Sequence, residues 1–548
     1  MKSGEVVRKL KRWDRPFGSE PIRKEMVAAI LMLPLFKGIA EAGFPDDLSP
    51  HDIIANDGRL HELERGDAIY REGEYGSSVY VILMGGLNCV VSQGAKSNGK
   101  ALPSPRQSVH NYLQGATQYI EQLSRWAKRG SKQVDEPAQD EARELEQGMI
   151  VHEAGPNDIV GLVSALGRTP RSHSAFASEH NTRVLELRWP GFRDLRYWCD
   201  EFSAATTKIY RARAIEAALR ACPIFTDLDQ TALKAIAGHS TFQVFGDFLW
   251  SHRFQRQRGD GMSATDALDR EPVIAAQGHY LDDLIVVHSG FARETRTVDF
   301  GEQNMALLKS GDSFGLDSIA ESIAKDEPCK LSSSLRAVGY TEIVRIPSLV
   351  VETAVLDSKT RMLPVARQSN GYQEAALDFA FQHRFMNGTR AMLINADRCV
   401  NCDDCVRACA STHGGIARFQ RRGTAMQNVL VTQACMHCTD PVCLIDCPTE
   451  AIYREPVSGI VVIDEATCIG CSACASACPY NNIQMIPRAS DNGRPLLAED
   501  GRLVQRAVKC DFCIGSKTGP ACVQACPHDA LTRMPPIGAD DYLIQPLP

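Results

Sequence analysis

The chain lacks several features that would assign it to common classes of protein. None of its apolar runs approaches the ~20 residues that a helix needs to cross a bilayer, and residues 1–16 are basic without the apolar core of a secretory signal. Positive charge is not in excess either, because the chain has 60 Lys and Arg residues and 67 Asp and Glu residues, which gives a net charge of −7. We therefore expect a cytoplasmic protein that neither inserts into a membrane nor binds nucleic acid.

Cofactor motifs for substrate chemistry are also missing. No G-x-G-x-x-G follows a predicted strand, so a flavin or nicotinamide site on this chain is not expected. The length of 548 residues and the apolar content of 44% are sufficient for three or four domains with proper cores.

Cysteine is abundant in one region only. Sixteen of the 20 cysteines lie between Cys399 and Cys526. In a chain without an export signal, such a concentration favours metal binding over disulfides. The remaining four are scattered, and we assign them no role: Cys89, Cys199, Cys222 and Cys329.

The sixteen cysteines form four quartets, and in each the last cysteine lies one helical turn beyond the third. The first and third quartets have the C-x2-C-x2-C-x3-C spacing of bacterial ferredoxins, whereas the second and fourth lengthen the middle gap to four and eight residues. Proline follows the last cysteine in every quartet but the first. The quartets are Cys399, Cys402, Cys405 and Cys409; Cys435, Cys438, Cys443 and Cys447; Cys468, Cys471, Cys474 and Cys478; and Cys510, Cys513, Cys522 and Cys526.

Zinc is the competing metal. Structural zinc sites usually take two C-x2-C pairs or include histidine, because four ligands must close one tetrahedron. A third cysteine close behind each pair has no role in that geometry. The spacing therefore favours iron–sulfur clusters over zinc.

Residues 391–548 resemble the four-cluster ferredoxin subunits of the dimethyl sulfoxide reductase, polysulfide reductase and formate dehydrogenase group. The resemblance lies in four segments: Ile394–Cys399, Cys435–Cys443, Cys468–Tyr480 and Lys509–Cys513. It implies four 4Fe-4S clusters, in which each fourth cysteine crosses to a neighbouring cluster. The implied ligand sets are Cys399, Cys402, Cys405 and Cys526; Cys510, Cys513, Cys522 and Cys409; Cys435, Cys438, Cys443 and Cys478; and Cys468, Cys471, Cys474 and Cys447.

Complete cysteine quartets leave no open iron for a substrate. We therefore expect an electron-transfer subunit that does not itself catalyse, although the sequence leaves open whether the chain is an enzyme. The resemblance implies a catalytic partner such as a flavin NAD(P)H oxidoreductase, a hydrogenase or a molybdopterin enzyme. An acidic balance in residues 391–548 suggests that the partner docks through a basic face.

The first 390 residues resemble two cyclic-nucleotide-binding domains in tandem. Turn signals and short apolar runs in Leu63–Glu74 and Ser78–Leu87 indicate a β-roll, and the pattern resumes at Gly155–Ser164. A second copy is indicated by Leu284–Gly290 and Gly311–Ser318.

The predicted fold is therefore multidomain α+β, with two cyclic-nucleotide-binding-like jelly-roll domains before a tandem bacterial-type ferredoxin domain. The expected boundaries are an arm at 1–28, a first β-roll at 29–204 with an insertion at about 92–148, a second β-roll at 205–355, a linker at 356–390 and the ferredoxin domain at 391–548.

Nucleotide recognition is incomplete in both copies. The family uses a glutamate for the ribose hydroxyl and an arginine for the phosphate, and Leu162 and Leu316 stand at the two glutamate positions. Arg171 occupies the arginine position of the first copy, where it is a candidate for a cyclic-nucleotide phosphate or another anion, or simply a surface arginine. Degenerate β-rolls kept for docking or dimerisation are favoured over cyclic-nucleotide binding.

Two alternatives arise from the β-rolls. One is a cyclic-nucleotide- or redox-gated sensor that uses the clusters as a switch. The other is a transcription factor, which is disfavoured because residues 351–398 contain no basic recognition helix. A homodimer is possible through a long helix predicted over Thr206–Arg220.

Overall fold

The computed structural model describes residues 5–92, 148–298, 301–325, 327–356, 374–490, 492–516 and 518–535. The insertion predicted at about 92–148 falls outside these residues except at its two ends. Within the described part of the chain, no helix is both long and apolar enough to cross a membrane.

The N-terminal arm contacts both the first β-roll and the cysteine-rich C-terminal region. Its strand β1 (Glu5–Val6) pairs in parallel with Leu496–Leu497, far along the chain, and is followed by helix α1 (Lys24–Leu31). Arg12 forms ion pairs with Asp57 and Asp194 of the first β-roll. The arm predicted at 1–28 is therefore held against folded domains along its described length.

Two four-stranded antiparallel sheets form the first β-roll, with strand orders β2-β9-β4-β7 and β3-β8-β5-β6. Alternate residues of one strand face different cores: Val79 and Val81 join one hydrophobic cluster, and Tyr80 and Ile82 join another. The elements are a 3-10 turn at Glu41–Gly43, α2 (Pro50–Asp57), β2 (Gly58–Leu63), β3 (Ala68–Tyr70), β4 (Val79–Met84), β5 (Leu87–Val91), β6 (Met149–Ala154), β7 (Ile159–Val160), α3 (Leu162–Gly167), β8 (Ser174–Ala177) and β9 (Thr182–Leu187).

Helices α4 (Trp189–Trp198) and α5 (Asp200–Ala221) connect the two rolls. The Cys199 Sγ accepts a hydrogen bond from the backbone N–H of Phe202 at 3.4 Å and so caps α5. Buried residues recur every four positions along α5 and form one stripe, at Phe202, Thr206, Tyr210, Ala214 and Ala218. The first part of this stripe packs in the core of the first roll and its end packs in the core of the second.

The second β-roll is built around two long strands, β12 (Asp283–Val298) and β15 (Ser334–Pro347), which pair along most of their length. They bend at Gly290, whose φ is 77° and where a Cβ atom would lie 2.0 Å from the carbonyl oxygen of Tyr340, so only glycine fits. The elements are a 3-10 turn at Pro223–Phe225, α6 (Gln230–His239), β10 (Thr241–Gly246), α7 (Trp250–Gly259), α8 (Ala264–Asp269), β11 (Val273–Ala275), β12 (Asp283–Val298), β13 (Gly301–Leu308), β14 (Ser313–Phe314), α9 (Leu316–Lys325), β15 (Ser334–Pro347), α10 (Ser348–Val351) and a π-helical turn at Glu352–Leu356.

The segment predicted as a linker contains a packed helix. Helix α11 (Glu374–His383) is followed by a 3-10 turn at Phe385–Asn387. Leu377 and Phe381 of this helix pack against buried residues of the second roll. The described part of the segment at 356–390 is therefore fastened to the second roll by apolar contacts.

The cysteine-rich domain, residues 391–535, consists of short elements joined by long loops. A four-stranded sheet of order β17-β18-β16-β24 lies beside the two-stranded ribbons β19-β20 and β21-β23. The elements are β16 (Ala391–Asn395), α12 (Asp404–Thr412), β17 (Gln420–Met426), β18 (Val429–Gln433), a 3-10 turn at Val442–Leu444, β19 (Ile452–Arg454), β20 (Val461–Ile463), α13 (Ala473–Ala477), β21 (Gln484–Pro487), β22 (Leu496–Leu497), β23 (Gln505–Val508), α14 (Ala521–Gln524) and β24 (Leu531–Met534). The architecture is thus two β-rolls followed by a cysteine-rich α+β domain.

Candidate iron–sulfur centre

All four quartets begin with the same backbone turn. The residue immediately before the second cysteine has a left-handed conformation in each, with φ between 48° and 72°. Such a turn brings the first two thiols of a quartet round to the same side of the loop. The four residues are Asn401, His437, Gly470 and Phe512. Because they share no side-chain chemistry, sequence reasoning alone did not single them out.

Two groups of four thiols each line a cavity of their own. Each group draws three cysteines from one quartet and the fourth from another. One cavity is lined by Cys399, Cys402, Cys405 and Cys526. The other is lined by Cys447, Cys468, Cys471 and Cys474.

The remaining eight thiols also gather in two groups. Burial raises the pKa of the Cys438 and Cys443 thiols well above the usual range, and neighbouring Cys435 and Cys478 raise it further. Burial likewise raises the pKa of Cys522 to about 12, with Cys510, Cys409 and Cys513 among its charged neighbours. The four groups coincide with the ligand sets that the resemblance implies, while ligation itself stays a prediction.

These groups suit a cationic cluster that binds thiolates. A thiol packed among other thiols resists losing its proton, whereas a coordinated metal removes that proton outright. Each group consists of four cysteine sulfurs, and at one edge of the group that contains Cys513 the ring of His413 and the carboxylate of Asp511 also lie close to the Cys513 sulfur. All-thiolate sets are the ones that iron–sulfur clusters use.

Backbone amides point at several of the sulfurs. The N–H groups of Arg418, Asn482 and Ala530 donate to the Sγ atoms of Cys409, Cys478 and Cys526 at 3.3, 3.4 and 3.3 Å. Such hydrogen bonds stabilise negative charge on sulfur and tune cluster potentials.

One charged side chain also reaches a sulfur. The guanidinium Nη2 of Arg533 lies 2.6 Å from the Sγ of Cys510. The proximity of Cys510 and Cys522 helps to raise the pKa of Arg533 against the opposing effect of burial. A fixed positive charge therefore faces this group of thiols.

His437 lies inside the second quartet but packs as a structural residue. Its Nδ1 accepts a hydrogen bond from the backbone N–H of Val461 at 3.2 Å, and its ring packs edge-on against Phe512. Burial lowers its pKa well below the usual value. The imidazole is therefore neutral and fixes the loop.

The groups differ in their access to solvent. Cys402 and Cys471 are exposed, whereas Cys409, Cys435, Cys474 and most other members are buried or half-buried. The first group, which contains Cys402, has no buried member.

Arg171, the residue predicted to meet an anion, is buried in the first roll with 3% of its surface exposed. Its guanidinium donates to the backbone oxygens of Gly161 at 3.1 Å and Ser78 at 2.9 Å, and it stacks on the rings of Tyr70 and Tyr80. It is therefore not a surface arginine. Anion binding by this guanidinium stays a prediction.

The predicted cassette of the first roll faces the cysteine-rich domain. Arg168, at the end of α3, forms an ion pair with Asp440 in the second quartet, with Nε and Oδ1 2.5 Å apart. Ser77 donates a hydrogen bond to Glu450, just beyond that quartet. Trp189 Nε1 donates to the carbonyl oxygen of Ile445 at 2.9 Å.

The second roll reaches the same loop. Trp250 Nε1 donates to the other carboxylate oxygen of Asp440 at 2.9 Å, and Gln255 donates to the carbonyl oxygen of Cys478 at 2.8 Å. Both β-rolls therefore hold the loop of the second quartet.

Comparison with known proteins agrees with the thiol geometry. The family model described as a 4Fe-4S dicluster domain matches residues 426–534. Formate hydrogenlyase subunit 2 of Escherichia coli is 32% identical over an alignment of 164 residues, and the match covers 26% of this chain and 80% of that protein. The chain belongs to the 4Fe-4S ferredoxin family. Its cysteine-rich domain is the ferredoxin domain, an iron–sulfur electron-transfer module.

Other relatives match the same region. A tetrathionate reductase subunit of Salmonella typhimurium is 30% identical over an alignment of 193 residues, and the match covers 32% of this chain and 67% of that protein. The ferredoxin-like protein YdhX of Escherichia coli O157:H7 is 35% identical over 155 residues, and the match spans 26% of this chain and 63% of YdhX. The chain therefore covers less than two thirds of the length of YdhX.

A solved structure aligns with the region before the ferredoxin domain. The regulatory domain of protein kinase A from Toxoplasma gondii with cAMP is 16% identical and aligns over 61% of this chain and 92% of its own, with a TM-score of 0.20. The β-roll assignment itself rests on the strand orders and paired cores described above.

Proposed function

We propose that the chain is an electron-transfer subunit that carries four 4Fe-4S clusters. The proposal rests on one observation: the sixteen thiols gather in four groups of four. Each group takes three thiols from one quartet and one from another. The proposed ligand sets are Cys399, Cys402, Cys405 and Cys526; Cys409, Cys510, Cys513 and Cys522; Cys435, Cys438, Cys443 and Cys478; and Cys447, Cys468, Cys471 and Cys474.

Each bound cluster would supply one-electron redox chemistry. The chain provides four thiolates to each, so no metal position is left for a substrate. Backbone amides and Arg533 stabilise negative charge on the sulfurs. In this proposal the chain therefore transfers electrons and does not transform a substrate.

The partner that catalyses is a separate polypeptide in this proposal. Two relatives carry the names of subunits, of a tetrathionate reductase and of a formate hydrogenlyase, which supports a multi-subunit setting. We propose a cytoplasmic complex in which the partner is a flavin NAD(P)H oxidoreductase, a hydrogenase or a molybdopterin enzyme. Exposed Cys402 and Cys471 mark the two groups best placed to exchange electrons with other proteins.

Iron and acid-labile sulfide analysis of anaerobically purified protein, with EPR after dithionite reduction, tests this function. We expect about sixteen iron and sixteen sulfide atoms per chain, and broad signals from interacting clusters. Cys522→Ser should lower the iron content by about a quarter, whereas Cys329→Ser should not change it. Stoichiometric zinc with little acid-labile sulfide would contradict the proposed electron-transfer function.

A sensor function is the second candidate, because the first roll contacts the second quartet directly through Arg168 and Asp440. In this candidate a ligand of the roll controls whether the clusters exchange electrons. Saturable binding of cAMP that is lost in Arg171→Ala would support it. Absence of binding would leave the rolls as a scaffold.

A further inference from the structure

A cleft of about 700 Å³ lies where the first roll, the second roll and the ferredoxin domain meet. This volume is within the range of small-molecule sites, ~300–1,000 Å³. Both rolls contribute aromatic side chains to its walls: Trp189, Trp198, Tyr210, Phe242, Phe248 and Tyr340. We call it the aromatic cleft.

The rim of the aromatic cleft is apolar and open to solvent. Tyr197, Trp198, Val244 and Leu249 all line it, and their exposed fractions are 73%, 39%, 43% and 38%. Single exposed apolar residues are normal on protein surfaces, but several around one concavity mark a binding site. The rings of Phe248 and Tyr340 meet edge to face, with centroids 5.3 Å apart, so the aromatic wall is ordered by its own packing.

The carboxylates of the cleft already have partners. Glu342 accepts hydrogen bonds from the hydroxyls of Tyr210 and Ser289, and also from Tyr340 at 2.7 Å. Asp194 pairs with Arg12 and Arg193. Asp446 lies 3.8 Å from the His252 ring nitrogen.

Two arginines of the cleft lack such partners. Arg196 donates from Nη2 to the Thr207 hydroxyl at 3.0 Å, while its solvent-shielded Nη1 has no hydrogen-bond partner among the described residues. Arg211 also lines the cleft and forms no ion pair within the described chain. The unsatisfied charge in the cleft is therefore positive. A planar guanidinium matches the geometry of a phosphate.

We propose that the aromatic cleft binds a mononucleotide, a planar heteroaromatic ring that carries a phosphate group. The ring lies against the aromatic walls, and the phosphate pairs with the guanidinium of Arg196, with Arg211 nearby. Ile445 and Asp446, directly before Cys447, complete the cleft, so the bound ring lies beside the loop of the second quartet. The proposal rests on the cleft alone and does not depend on the number of clusters.

Calorimetric titration of the full chain with flavin mononucleotide tests the site, with AMP as a second probe and riboflavin as the ring without phosphate. We expect saturable binding of one or both phosphate-bearing probes. Arg196→Gln should weaken it at least about tenfold and leave riboflavin unchanged, because only the contact with the charged phosphate is lost. Trp198→Ala should weaken all probes that bind.

Matched controls separate the cleft from the rest of the surface. Arg502→Gln removes an exposed arginine of the ferredoxin domain, and Tyr280→Ala removes an exposed aromatic ring of the second roll, and neither residue lines the cleft. Both should bind as the wild type does, and Arg196→Lys should bind at an intermediate level because it keeps charge but loses the planar donor edge. Stronger binding of flavin mononucleotide than of AMP would identify a flavin, and the reverse a purine nucleotide.

Two results would overturn the proposal. One is that neither flavin mononucleotide nor AMP binds saturably to the wild-type chain. The other is that binding occurs but is unchanged in both Arg196→Gln and Trp198→Ala, with each variant folded by circular dichroism. Iron analysis of the same samples shows separately whether the cluster content is intact.

Discussion

The loops of the first and second quartets have similar cysteine spacing but opposite surroundings. The second loop is covered: Asp440 within it has 9% of its surface exposed and receives Arg168 from one roll and Trp250 from the other. The first loop is open, with Cys402 exposed and 58% of Val400 accessible. One ferredoxin domain therefore has a side that is anchored within the chain and a side that is free.

This difference gives the first β-roll a structural role within the chain. The segment that follows α3 in the first roll supplies Arg168 to Asp440, so this part of the roll faces the ferredoxin domain. The open loop keeps its surface available for another protein. Variants on the two sides should therefore differ in stability, in pH response and in cluster potential.

Removal of Asp440 should have the largest effect. In Asp440→Ala the buried guanidinium of Arg168 loses its carboxylate and the indole N–H of Trp250 loses its acceptor. Breaking such a buried pair costs about 3–5 kcal/mol. The measurement is denaturant unfolding of the full chain, followed through the visible absorption of the clusters.

The matched control lies on the exposed surface. Asp500 is 3.7 Å from Arg502, and both side chains are more than half exposed. Asp500→Ala should therefore cost no more than about 1 kcal/mol. Adding Arg168→Met to Asp440→Ala should recover stability, because it removes the stranded charge. If Asp440→Ala and Asp500→Ala lost equal unfolding free energy, the Arg168–Asp440 pair would not anchor the covered loop.

The covered side should also respond to pH through Glu450. Burial raises the pKa of Glu450 to about 7, against the hydrogen bond from Ser77 and the charge of Arg188, which lower it. The folded state therefore holds a proton that the unfolded state has lost above its usual pKa of 4.5. The stabilising contribution is complete below about pH 4.5 and is lost as the pH rises through about 7.

Glu450→Gln should remove this dependence. The variant should match the wild type near pH ~4 and exceed its unfolding free energy by up to about 3 kcal/mol near pH ~8. Unfolding midpoints across this range provide the measurement. Glu499→Gln changes an exposed carboxylate of the same domain, and its unfolding free energy should depend on pH as that of the wild type does. A slope that persists in Glu450→Gln would assign the pH dependence to another group.

The two loops also show what sequence could predict. The cysteine spacing indicates the metal chemistry, and the resemblance supplies groups that agree with the geometry, because local spacing directly limits which thiols share a loop. The contact between Arg168 and Asp440 joins residues far apart along the chain, and no local pattern encodes it. The left-handed turn at Asn401 and Phe512 is also hidden, because the backbone imposes it on unlike side chains.

The sequence could not separate a ligand-binding arginine from a structural one. The resemblance implies that Arg171 has the position of the family's phosphate-binding residue, and in the structure its guanidinium donates to the carbonyl oxygens of Gly161 and Ser78. Those carbonyls belong to turns whose placement depends on the whole roll. Likewise α11 packs against the second roll within a segment predicted as linker, because its apolar residues find a tertiary partner that the sequence does not reveal.

A smaller effect is expected from the charge beside Cys510. Arg533 lies 2.6 Å from the Cys510 sulfur, and a positive charge there favours the reduced, more negative cluster. Arg533→Gln should therefore lower the potential of one cluster by on the order of 50 mV. EPR-monitored redox titration measures it. Arg533→Lys should restore part of the shift, and an unchanged potential in Arg533→Gln would show that this charge does not act on the cluster.

The smallest effect is expected on the open side. Arg421 Nη1 lies 3.9 Å from the Cys399 sulfur, but a quarter of its side chain is exposed and its Nε pairs with Asp403 at 3.0 Å. Solvent and the neighbouring carboxylate screen its charge, so Arg421→Gln should shift the potential by less than about 20 mV. This shift should grow at low ionic strength, whereas the shift in Arg533→Gln should hardly change with salt. A salt-insensitive shift as large as that of Arg533→Gln would mean that the group containing Cys399 is as well shielded from solvent as the group containing Cys510. The contrast between open and covered sides would then not extend to electrostatics.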